Sequence, residues 1–356
     1  MTDPRITQMA DILVHHSLQV QPGEQILLSS TPLAKPLLEE LYRKILRCGA
    51  HPILMLSTDS FQRIFFEEAT EEQINNVPPI TRYQYENADG LIAINAPETG
   101  RELIGIDPAR IANHRKARLP MMERYYRHQA KWVATAFPTP SLAQDANMSL
   151  PAFEDFLYGA VNIDWKELAK SMKEAAKRFD AAREVHIKGK GTDLKLSIEG
   201  RYGIIDGGEN NMPGGEFFYA PLEHKTEGVI TYEWPAVISG HEVSGIRLRF
   251  EKGRVVEASA EKGEDYLHKM LDTDEGARYL GELGIGCNPG IQQHTKNILF
   301  DEKIGGTVHL ALGMAYEECG GTNKSALHWD MVKDLRSGGE IYLDGQLVQK
   351  DGKWVF

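Results

Sequence analysis

The stretch HLALGMAYEECGGTNKSALHWD, residues His309–Asp330, decides how the second half of the chain is built. His309 lies in Val308–Leu312, an apolar run that reads as a strand, and Tyr316 follows on the same segment. His328-Trp329-Asp330 opens what reads as the next strand. Strand side chains alternate faces, so His328 and Asp330 converge while Trp329 turns the opposite way. Between the two runs, Cys319-Gly320-Gly321-Thr322-Asn323 forms a turn whose glycines permit tight reversal. The resulting hairpin brings His309 close to the His-x-Asp pair. A single His in an apolar strand is more often a packed core residue than a ligand. Three metal-type side chains and a tyrosine on one hairpin are what point to a metal site.

Working outward, a length of 356 residues predicts about two domains at roughly 150 residues each. The formal net charge of −11 argues against nucleic acid or an anionic membrane as a partner, since both need basic surface. No apolar run approaches the roughly 20 residues needed to span a bilayer. Residues 1–5 lead straight into an amphipathic helix without a signal-type apolar core. Cys48, Cys287 and Cys319 are far apart and in no C-x-x-C pair, so neither a disulfide framework nor a thiolate zinc site is indicated. A reducing cytoplasm is the expected location, with Cys319 a small packed residue.

The first half alternates between helical and strand patterns. Ile6, Met9, Ala10, Leu13 and Val14 fall at helical spacing. Strands are expected at 25–29, 52–56, 90–95 and 131–137, with helices at 33–48, 60–69, 108–118 and 121–128. Such alternation predicts a mostly parallel sheet covered on both faces. No G-x-G-x-x-G or G-x-x-x-x-G-K-[ST] follows any of these strands, so the phosphate loop of a nucleotide fold is missing. Helices at 153–161 and 165–182 follow, and from Arg183 the pattern becomes one of hairpins: 185–188 with 194–198, and 244–250 with 255–260. The expectation is an α/β scaffold domain over 1–182, then an α+β domain over 183–356, rich in antiparallel strands and carrying the metal site.

Two carboxylates stand in contexts that would complete that site. Glu216 follows the turn Pro213-Gly214-Gly215 and precedes Phe217-Phe218, and Glu282 sits among apolar residues and glycines in Leu280-Gly281-Glu282-Leu283-Gly284. A carboxylate amid buried-looking neighbours needs a partner, because an unpaired buried charge is costly. Metal coordination supplies one, and a salt bridge to Arg or Lys is the commoner alternative. Asp206-Gly207-Gly208-Glu209 reads as an exposed turn.

These pieces together resemble the metallo-aminopeptidases of the aminopeptidase T and aminopeptidase S family, first known from thermophiles. The likeness rests on Met212–Pro221, Leu280–Leu283, His309–Tyr316 and His328–Asp330, and more weakly on Val20–Leu27 and Ala134–Thr139. The family's two Glu, a His, a Tyr seven positions on and a His-x-Asp fall on Glu216, Glu282, His309, Tyr316, His328 and Asp330. The segment between Tyr316 and His328 is shorter than in better-known members, which bears on the substrate pocket. The resemblance implies a homodimeric exopeptidase that removes N-terminal residues from short peptides, with two divalent metals in an enclosed cavity. Carboxylate and imidazole ligands suit Zn²⁺, Co²⁺, Mn²⁺ or Mg²⁺. Glu282 is expected to be the carboxylate shared by the two metals, and Tyr316 a ligand or a donor to the tetrahedral oxyanion. Two other readings stand beside this one. The chain also resembles ring-cleaving, iron-dependent dihydroxypyridine dioxygenases of the same superfamily, from which Glu282 and His309 set it apart. A metal-stabilised binding protein without turnover is the third.

Overall fold

The computed structural model describes residues 3–238 and 240–356, apart from the side chain of Tyr126. Met1 and Thr2, read above as leading into the first helix, lie outside that range. The chain divides into two compact units, one of residues 1–162 with 208–212, the other of 163–207 with 213–356.

The first unit holds a parallel sheet in the order His51–Leu56, Gln25–Ser30, Gly90–Asn95, Lys131–Ala136, Asn211–Met212. The central strands are near-continuous apolar runs because helices cover them: Ile26, Leu27, Leu28 and Ile92 are buried. The outer strand His51–Leu56 is less covered, leaving Leu54 and Leu56 about half exposed. One difference from the sequence reading concerns residues 108–128. A single helix, Pro108–Tyr126, runs through Pro120 where the pattern predicts two. Pro120 lacks the N–H that would reach back one turn. Met121 and Tyr125 nonetheless anchor the second half of the helix in the core, with the Tyr125 hydroxyl donating to the Tyr85 carbonyl at 2.9 Å.

The second unit begins earlier than the expected boundary near residue 182, because the helix Trp165–Asp180 packs into its core. Asp164 caps that helix, its carboxylate accepting from the amides of Lys166 and Glu167 at 3.1 Å each. Met172, Ala175, Ala176 and Phe179 then fall on one face at helical spacing and join the apolar cluster of the second unit. Burying a side chain such as that of Phe179 is worth about 1.5–3 kcal/mol.

Two antiparallel sheets supply most of the rest of this core, with Leu267 and Leu271 of the helix Glu264–Leu271. One has eight strands. The other has five, in the order His328–Asp334, Thr307–Gly313, Leu280–Gly286, Glu216–Tyr219, Ile204–Asp206. The hairpin read from His309–Asp330 is present, with Gly313 opposite His328 and Ala311 opposite Asp330. Asp206 departs from its reading as part of an exposed turn. It ends the strand Ile204–Asp206 opposite Glu216 and is 8% exposed.

Candidate metal centre

The five-stranded sheet has an apolar face and a face that carries the site. Leu283, Ile285, Val308, Leu310, Leu312, Trp329 and Met331 point into the core. The alternate residues Glu216, Glu282, His309, His328 and Asp330 therefore share the opposite face, drawn from four adjacent strands. Small residues open the space between them. Ala311 lies between Glu282 and Asp330 in the cross-strand register, and Gly284 lies opposite His309. The imidazole rests on Gly284, where a Cβ would stand 1.9 Å from the ring.

Both histidines are fixed from behind. His309 donates its Nδ1–H to the Glu302 carbonyl at 3.1 Å, and His328 donates its own to the Met314 carbonyl at 2.9 Å. A carbonyl only accepts, so each Nδ1 carries the proton and each Nε2 is turned toward the carboxylates. Glu282 stands between the rings, with Oε1 3.2 Å from His309 Nε2 and Oε2 3.3 Å from His328 Nε2. Glu216 Oε2 lies 3.5 Å from His309 Nε2, and Asp330 Oδ2 lies 3.4 Å from His328 Nε2. The arrangement has two halves joined by Glu282.

The electrostatics are those of crowded, buried charge. Burial would raise the Glu282 carboxyl, but hydrogen bonds from both imidazoles outweigh it and bring it down to about 2. Burial would lower His309 and His328, yet the facing carboxylates hold both up at about 10. Burial and the Glu302 charge push Glu216 up to about 8, and burial pushes Asp330 up to about 6. Tyr316 is raised well above the ordinary phenol by burial and by the charges of Glu282 and Asp330, so it is a neutral hydrogen-bond donor. Its ring lies 5.2 Å from that of His328 and 5.4 Å from that of Phe218.

These donors fit a divalent cation. Glu216 Oε2 and Asp330 Oδ1 are buried yet have no hydrogen-bond partner among the described residues, a costly state for a polar atom that coordination to a cation would relieve. Two sets of three donors, Glu216–Glu302–His309 and Glu282–His309–Asp330, each lie within 4.8 Å of one another. Carboxylate and imidazole donors without thiolate suit Zn²⁺, Co²⁺, Mn²⁺ or Mg²⁺.

All six side chains singled out from the sequence lie in this one region. Two neighbours escaped that reading. Glu302 contributes a carboxylate and the carbonyl behind His309, and Lys303, wholly buried, contacts Glu216 Oε1 at 3.2 Å. In the sequence, Asp301-Glu302-Lys303 has the composition of a solvated helix end, and no periodicity marks it as buried.

The antiparallel unit carries a donor set able to hold a divalent metal, and comparison with known families makes the chain a metal-dependent hydrolase. The chain belongs to the thermophilic metalloprotease (M29) family, matching the family model over residues 2–354. It is 27% identical to aminopeptidase T of Thermus thermophilus, with 98% of each chain covered. It is 26% identical to aminopeptidase AmpS of Bacillus subtilis, covering 99% of this chain and 98% of the relative. The solved structure of wild-type AmpT from Thermus thermophilus superposes with a TM-score of 0.86 at 25% identity, covering 99% of both chains.

Proposed function

We propose that this protein is an aminopeptidase that removes N-terminal residues from short peptides, with two divalent metal ions between which Glu282 would be the shared carboxylate ligand. The observation that carries the reading is the placement of Glu282, with one oxygen facing each of two Nε2 atoms whose rings are locked by backbone carbonyls. Glu216 and His309 would hold one ion, and His328 and Asp330 the other. Bound there, the ions supply Lewis acidity toward the scissile carbonyl and a water acidified from about 15.7 toward 7.

The chain's own residues do the remaining work. The Nδ1–H bonds keep both imidazoles in the tautomer that presents a lone pair. Tyr316, held neutral, donates a hydrogen bond to the oxygen that becomes negative in the tetrahedral transition state. The cluster of acidic side chains gives the substrate's free α-ammonium an electrostatic partner, which favours cleavage at the N-terminus. A homodimer enclosing the cavity would restrict access to short peptides. A cytoplasmic setting is supported by the three free cysteines.

The test is a screen of short peptides with Zn²⁺, Co²⁺, Mn²⁺ or Mg²⁺ supplied, alongside elemental analysis of the protein. Release of N-terminal amino acids from unblocked peptides is expected, with two ions per chain, and acetylation of the α-amine should stop it. Oxygen uptake with a dihydroxypyridine under Fe²⁺, and no hydrolysis under any divalent ion, would overturn the reading. Sedimentation showing monomers alone would remove the shared cavity as the source of exo-selectivity.

A further inference from the structure

We propose that Lys303 is a positioning residue that aims Glu216 into the His309 half of the metal centre, an inference that rests on the metallo-aminopeptidase reading above. Lys303 is 0% exposed, an extreme burial for a side chain that nearly always keeps its ammonium in water. Its ammonium lies between two carboxylates, touching Glu216 Oε1 at 3.2 Å and making a second, short contact to Glu302 Oε1. Glu216 is thereby divided between two tasks. Oε1 is taken by the lysine, and Oε2, with no hydrogen-bond partner among the described residues, is left facing His309 Nε2 at 3.5 Å.

The preceding residue acts on the other ligand of the same half. The Glu302 carbonyl accepts the Nδ1–H of His309. Two consecutive residues, placed by the short helix Ile298–Asp301, therefore orient both side chains that face each other across Gly284 and Gly286. No equivalent cation contacts His328 or Asp330 among the described residues, so the device belongs to one half only. A purely structural lysine would need any anionic partner. This one takes Oε1 of Glu216 and leaves Oε2, the oxygen that faces His309, without a hydrogen-bond partner among the described residues.

The consequence is asymmetric. Outer partners of metal ligands are worth about 10–100-fold in metal affinity, and here the loss should fall on one ion of two. The experiment is a titration of metal-free protein with Co²⁺, following both heat and the visible absorption of the bound ion, for the wild type, Lys303→Met and Lys303→Gln. The wild type should take up two equivalents. Each variant should keep one at wild-type affinity and bind the other about 10–100-fold more weakly, with the spectrum of the retained ion unchanged. Two equivalents at unchanged or tighter affinity in a folded variant would overturn the assignment, since removing a nearby positive charge without loss of geometry should favour a cation. Failure of both variants to fold would make Lys303 a folding residue and overturn it equally. A wild type that takes up no metal would instead bring down the metallo-aminopeptidase reading itself.

Discussion

Gly284→Ala tests the site without touching any ligand. A Cβ at Gly284 would stand 1.9 Å from Cε1 and Nε2 of His309 and 2.6 Å from Nδ1. Carbon atoms in ordinary contact are about 3.5–4.0 Å apart, so the ring must move by roughly 1.5 Å or more. It cannot slide freely, because Nδ1 is tied to the Glu302 carbonyl and the strand is paired on both sides. A misplacement of about 1 Å at a reacting centre costs about 100-fold, and overpacking costs about 1–3 kcal/mol. The expected variant is folded, somewhat less stable, short of metal in the His309 half, and at least about 100-fold slower on an unblocked peptide. Gly159→Ala is the control. That glycine lies in the helix Leu150–Val161 with nothing within 4 Å of an added methyl, so alanine there should stabilise by about 0.5–1 kcal/mol and leave the rate alone. Wild-type metal content and wild-type kcat/KM in Gly284→Ala would refute the placement of His309.

Other outcomes rest on the same geometry. His328→Ala or Asp330→Ala should lower bound metal and abolish hydrolysis with the circular dichroism retained. Trp329→Phe should keep the rate but lower stability by about 1–2 kcal/mol, since the indole is 2% exposed in the core and its Nε1 has no hydrogen-bond partner to lose. Glu282→Gln leaves an amide that can face the two Nε2 atoms with only one acceptor oxygen, so at least about 100-fold of the hydrolysis should go; near-normal rates would make Glu282 a structural carboxylate. In the metal-free protein, His309 and His328 at about 10, Glu216 at about 8 and Asp330 at about 6 all hold protons more tightly than in the unfolded chain. Their stabilisation is present at low pH and is lost as pH rises through those values, while Glu282, lowered to about 2, opposes only below its ordinary 4.5. Urea melts of metal-free protein should therefore show stability falling from about pH 5 to about pH 10, and saturating metal should reverse the slope by displacing the protons. Metal-free stability that climbs between about pH 6 and about pH 9 would contradict this.

Legibility in the sequence followed the range of the interactions involved. Gly90–Asn95 is readable to the residue because a buried parallel strand writes itself as an unbroken apolar run. The convergence of His328 and Asp330 is readable because alternation along one strand is a local rule. Glu302 and Lys303 are not, because their burial depends on Glu216 and His309 arriving from distant strands. Gly284 looks like one glycine among several until the register places a ring over it. Pro120 suggests a break that tertiary anchoring through Met121 and Tyr125 overrides. The strand Asn211–Met212 is two residues long and carries no period at all.

That two-residue strand has a consequence for how the chain is made. It completes the first sheet beside Lys131–Ala136, with the Thr135 hydroxyl donating to the Met212 carbonyl across 77 residues of sequence. At about 5–20 residues per second, the ribosome needs roughly 4–15 s to deliver Met212 after Thr135 has been added. Through that interval the nascent sheet has an open edge, where the Ala134 amide that later donates to the Asn210 carbonyl at 2.8 Å is available to any strand nearby. Co-translational folding of the first unit thus has a built-in waiting period, during which edge-binding chaperones have their best opportunity to act.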